Sequence, residues 1–214
     1  MAGEDGHDHI NDAALVAKVS EPLLSQACQR INFRWGKLHV TGKAYRAVVR
    51  ALNDSRIDIF EADGAEHTLD PDAEASYIGN PESMIIQPHL NAHIAFNQRV
   101  LVHEATHAAQ DDQLNGEWVW SLDDEATAYI AEWLFVIYSS PNPKHLISNP
   151  DPDDPIEVIA LEIARALADH PGASPDAAAM RRLGDAIFKD PTYSVRMALH
   201  PWTRDDGVTD PDFP

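Results

Sequence analysis

The sequence predicts an α+β fold, mostly helical with a small mixed β-sheet. Two observations carry that expectation. Apolar residues recur every three to four positions through several long segments, as they do on the buried face of a helix. Between two of these segments the period shortens to two, and Gly, Asn and Pro punctuate the short runs as in strands joined by tight turns. At 214 residues the chain suits one domain and is long enough to bury its own core.

Residues 1–12 mix Gly, Asp and His with almost nothing apolar and read as a disordered tail. From Ala13 to about Ile31, the residues Leu15, Val19, Leu23, Leu24 and Ala27 keep helical spacing, with Pro22 as a break, so one or two short helices are expected. Cys28 falls within that pattern as a small core residue. Thr41 caps a further helix ending near Leu52, which buries Tyr45, Val48, Val49 and Leu52. The run "RIDIF", Arg56 to Phe60, alternates like a half-buried strand. "ASYIGNPESMIIQP" then gives two β-prone runs around Gly79-Asn80-Pro81, a hairpin or a strand with a tight turn, and Pro88 suggests an edge position.

The strongest helical signal follows, with Asn91 as its cap and Phe96, Val100, His103 and His107 on one stripe. After a loop at Asn115-Gly116, another helix runs from Ser121 or Asp123 to Tyr138. A Pro- and Asp-rich connector leads to helices over Pro155–Asp169 and Asp176–Phe188. The expected organisation is a main part over residues 13–140, a helical C-terminal part of the same domain over 141–200, and a tail over 201–214.

A formal charge of −19 repels phosphate backbones and anionic lipid, so nucleic acid and membrane surfaces are not expected partners; cations and basic segments are attracted, and the surplus Asp also favours solubility. With Cys28 as the only cysteine, an intrachain disulfide and any cysteine-based zinc cluster are excluded. A bound metal must use His and carboxylates. The opening "MAGEDGHDHIND" is unlike a secretory leader and the apolar runs are too short to span a bilayer, so a cytoplasmic protein is expected. His7 and His9 of this segment lack a preformed geometry for metal.

"VLVHEATHAAQDD", Val100 to Asp112, places His103 and His107 one helical turn apart, so both imidazoles leave one face and can meet one cation. The pattern is expected by chance only roughly 0.03 times in a chain of this composition. Glu104 points roughly 100° away around the axis, too far to join the ligands but able to reach a water in the cation's open position as general base. Two histidines leave one protein ligand to find, and "SLDDEATAYIAEW" offers it: after a loop of about a dozen residues a helix can return antiparallel and point Glu125 at the histidines, with Asp123 and Asp124 as near competitors. Asp111, Asp123 and Asp124 are candidates for the carboxylates that ligating imidazoles bond through their other nitrogen. Trp118, Trp120 and Trp133 pack behind the site or line its wall, and His89 and His93 read as surface or cap residues.

Over about Ser76 to Trp133 the chain resembles small gluzincins, the zincin metallopeptidases in which HExxH on one helix is completed by a Glu on the next, here Glu125-Ala126-Thr127-Ala128. The resemblance implies a zincin-like catalytic domain with one zinc ion on His103, His107 and Glu125, Glu104 activating water, and a peptide or protein substrate. It further implies an edge strand beside the cleft, for which Ser83–Gln87 is the candidate, and an oxyanion-stabilising Tyr or His from a later segment, Tyr193 or His200. No metzincin feature follows His107, and the aspartate that often follows the third-ligand glutamate in relatives is replaced by Tyr129. The alternatives are a catalytically inactive zincin-like zinc-binding or interaction module, and a helix that carries the motif without metal.

Overall fold

The computed structural model describes residues 10–64, 67–69, 73–79, 82–114, 118–142, 145–194 and 202–204. It is an α+β structure. Helices α1 (Ala13–Leu24), α2 (Gln26–Gln29) and α3 (Gly42–Asn53) frame a first hairpin, β1 (Asn32–Trp35) and β2 (Leu38–Thr41). Strands β3 (Asp58–Glu61), β4 (Ala75–Gly79) and β5 (Glu82–Ile86) precede the long helices α4 (Ala95–Leu114) and α5 (Ser121–Ser139), which flank β6 (Trp118–Trp120). Helices α6 (Pro155–Ala168) and α7 (Ala177–Lys189) and strand β7 (Trp202–Arg204) complete the order.

Local chemistry explains most helix starts. Asp12, Asp154 and Asp176 each accept two backbone N–H groups at the N-termini of α1, α6 and α7, so part of the acid excess is used as caps. Thr41 caps α3 as the sequence predicts. Pro22 does not break α1 where it stands, although the helix ends two residues later at Leu24. Asn91 does not cap α4. Its side chain and carbonyl close a turn with His93 and Ile94, and the helix starts at Ala95.

The three-stranded sheet has the order β3-β5-β4, with β3 parallel and β4 antiparallel to β5, so it is small and mixed as expected. Its edge beside α4 is β4, whereas the sequence pointed to Ser83–Gln87. The physical reason is burial: Ser83, Met84, Ile85 and Ile86 are all buried, the continuous pattern of a strand paired on both sides. Residues 11 and 12 are not a tail either. Asn11 donates to the carbonyls of Leu52 and Ile57 and accepts from the N–H of Ile59, pinning the start of α1 to α3 and β3. Similarly β7, placed by the sequence in a C-terminal tail, pairs antiparallel with β6.

The core centres on α5, buried on almost every side from Glu125 through Ile137, the mark of an interior helix. Helix α4 packs along it, backed by α1, α3 and β4, while α6 covers the other side. Trp133, Tyr45, Phe33 and Phe135 are the largest fully enclosed side chains. Cys28 is buried among them, and burial pushes its thiol pKa up, so it is inert core as expected. Among the described residues no helix is long and apolar enough to cross a membrane.

Two contacts fix α4 before any metal is considered. Tyr45 of α3 and Thr106 share a buried hydrogen bond of 2.8 Å, and Gln113 clamps the backbone of His39 in both directions. Tyr45 is in reach because α3 starts hard against α2: a Cβ on Gly42 would lie 2.6 Å from the Cα of Gln29. Gly42→Ala should therefore destabilise the protein by about 1–3 kcal/mol, seen as a melting temperature lowered by several degrees. An unchanged melting temperature would contradict the close approach of α2 and α3.

Candidate metal centre

α4 and α5 run antiparallel, because His107 meets Asp124 and Glu125 while His103, a turn earlier, meets Glu125 and Glu132. The sequence expectation of a returning helix is thus realised. Nε2 of His103 lies 3.6 Å and Nε2 of His107 3.9 Å from the same oxygen, Oε2 of Glu125. One ligand atom from each of these residues falls within 4.8 Å of the others, a group able to hold a metal ion. Neither Asp123 nor Asp124 takes the third place: Asp123 accepts from the indole Nε1 of Trp35 at 2.7 Å, and Asp124 bonds His107.

The far side of each imidazole is what gives the group its direction. Nδ1 of His107 lies 2.9 Å from Oδ1 of Asp124, and Nδ1 of His103 lies 3.3 Å from Oε2 of Glu132. An ionised carboxylate only accepts, so each Nδ1 must carry a proton, and a ring that gives up its second proton exposes the Nε2 lone pair on the side of Glu125. Asp124 was among the sequence candidates for this duty. Glu132 was not, and the signal that could have found it is its place seven residues after Glu125, back on the same helical face. Asp111 instead accepts a 2.6 Å hydrogen bond from the Tyr77 hydroxyl.

Glu104 turns toward the sheet edge, where its Oε2 accepts the Tyr77 backbone N–H of β4 at 2.7 Å. Burial raises its pKa, with the charge of Glu125 acting in the same direction, against the pull of both histidines and of that N–H. A carboxyl moved toward neutrality both takes and returns a proton readily.

Tyr193 lies beyond α7 and shares a 2.7 Å hydrogen bond with the hydroxyl of Tyr129, whose ring meets His103 edge-on at 4.9 Å. Burial and the charges of Glu125 and Glu104 push the Tyr193 phenol up, so it remains protonated beside Tyr129. His200, His7 and His9 lie outside the described residues. His89 and His93 are exposed near Glu74 and Glu21, away from the cluster. Trp133 is fully buried, with the Arg99 guanidinium 4.8 Å from its ring centroid; the side chains of Trp118 and Trp120 lie outside the described set.

No family model, curated protein or solved structure matches the chain.

Burial lowers the pKa of His107, but the charge and hydrogen bond of Asp124 outweigh it and hold the group at about 9. His103 is likewise opposed by burial yet raised by Glu125 and Glu132. Both rings are therefore protonated at pH 7 in protein stripped of metal, and a cation must displace those protons. Calorimetry of zinc addition at pH 7 in buffers of different ionisation enthalpy should show about two protons released per ion. Affinity should rise with pH up to about 9. The stripped protein should show the reverse trend in stability, because a raised histidine pKa stabilises fully below about 6.5 and that contribution is lost as pH climbs through about 9. Zinc binding without proton release would contradict the assignment.

Proposed function

We propose that this protein is a zinc-dependent peptidase of the gluzincin type, with a zincin-like fold and one ion held by His103, His107 and Glu125. The observation that carries the reading is the convergence of two imidazole nitrogens and one carboxylate oxygen, with each imidazole backed by a second carboxylate. Two nitrogens and one oxygen, the donors that converge among the described residues, match the donor set of catalytic zinc, which keeps a coordination position for water; a structural site fills all four places. Zinc bound there would act as a Lewis acid, lowering the pKa of water and polarising a peptide carbonyl.

The chain's own residues supply the remaining steps. Glu104 takes the proton of the attacking water on Oε1, while the Tyr77 N–H holds Oε2, and then delivers that proton to the leaving nitrogen. Tyr193 donates its hydroxyl hydrogen toward the oxyanion that develops on the former carbonyl. The outer edge of β4 borders Glu104 and suits an extended peptide, which supports a peptide or protein substrate over nucleic acid or a membrane lipid.

Glu104→Gln should keep stoichiometric zinc and a near-native melting temperature while hydrolysis of a broad peptide library falls by about 10²–10⁴-fold. Wild-type turnover in this variant would remove Glu104 from its role. Glu125→Ala should lose the metal. Zinc-loaded wild type that cleaves no member of the library would instead favour a binding module on the same scaffold.

A further inference from the structure

We infer that Glu132 is a positioning residue for His103, and that Arg99 couples this positioning to helix α6; the inference rests on the zinc-site reading above. Glu125, Tyr129 and Glu132 stand at 0, +4 and +7 on α5 and so share one face, opposite Arg99, His103 and His107 of α4. The carboxylate of Glu132 bridges two partners on that helix. Its Oε1 accepts from Nη1 of Arg99 at 3.2 Å, and its Oε2 lies 3.3 Å from Nδ1 of His103.

This bridge has no solvent to fall back on, since Glu132 is 4% exposed and Arg99 5%. The guanidinium carbon lies 4.6 Å from the Phe96 ring centroid and 4.8 Å from that of Trp133, and its Nη2 bonds Glu157 in the first turn of α6. Arg99 thus divides one positive charge between the buried Glu132 and the partly buried Glu157. Glu132 needs a second donor to satisfy its other oxygen, and His103 is the group in reach. That requirement obliges His103 to present its Nδ1–H to Glu132 and hence its Nε2 to Glu125. A simple staple between helices would need Arg99 and the two acids but no imidazole. The same geometry means that α6, through Glu157 and Arg99, sets how firmly the Glu132 oxygen is held against the ring.

The test compares wild type with Glu132→Gln, Glu132→Ala and Glu157→Gln, all full-length, using zinc affinity by chelator competition and the imidazole N–H signals of the zinc-loaded protein by NMR. Glu132→Gln should weaken zinc binding about 10-fold and Glu132→Ala up to about 100-fold. Both should lose the slowly exchanging Nδ1–H of His103 while that of His107, on Asp124, persists. Glu157→Gln should give a smaller loss of affinity and faster exchange of the same His103 proton. If Glu132→Ala does not fold, the near-isosteric Glu132→Gln carries the test. Glu132 variants that fold, bind zinc as wild type does and keep the His103 signal would overturn the assignment. Wild type that takes up no zinc would overturn the zinc-site reading itself.

Discussion

Two glutamates on a helix that is otherwise sealed in the core impose the constraint on which this structure depends. Glu125 and Glu132 are 7% and 4% exposed, on a helix whose neighbours are alanines and large apolar side chains. A buried carboxylate without a partner costs several kcal/mol, so each must find positive charge or hydrogen-bond donors nearby. Helix α4 provides them as Arg99, His103 and His107 on the facing stripe. The two helices are therefore joined by polar pairing at the centre and apolar packing around it.

Glu125 has two histidine nitrogens within 4 Å of one oxygen, and in the absence of a cation protons taken up by those rings balance its charge. A dication resolves the same electrostatics with neutral imidazoles. Around this point the scaffold is stiff: Thr106, inside the HExxH segment, is tied to Tyr45, the end of α4 is clamped by Gln113 to β2, and Tyr77 holds Glu104 by its backbone and Asp111 by its hydroxyl. Preformed geometry of this kind holds the Glu104 carboxyl in place without reorganisation.

Much of this was legible in the sequence, and what was not has identifiable causes. The helical spacing of His103 and His107 and the return of Glu125 follow from period and loop length, and the structure brings all three together. The capped helices α3, α6 and α7 were readable for the same local reasons. Strand order was not, because "SMII" carries no mark of which side is paired, and burial of all four residues is a tertiary outcome. The β1–β2 hairpin was missed although Phe33, Trp35, Leu38 and Val40 alternate around Gly36, which adopts the left-handed φ of +55° that such a turn favours. The pairing of β6 with β7 joins segments more than eighty residues apart and leaves no local signature. Glu132, an acid seven positions along the helix from Glu125, reads as surface until the opposing Arg99 and His103 are seen.

If His103, His107 and Glu125 grip a single ion, X-ray diffraction from crystals of protein purified without added metal, recorded on both sides of the zinc absorption edge, should show one anomalous peak within bonding distance of both Nε2 atoms and the Glu125 carboxylate, with Nδ1 of each ring still on Glu132 and Asp124. A featureless anomalous map at that position, unchanged after soaking in zinc, would contradict it.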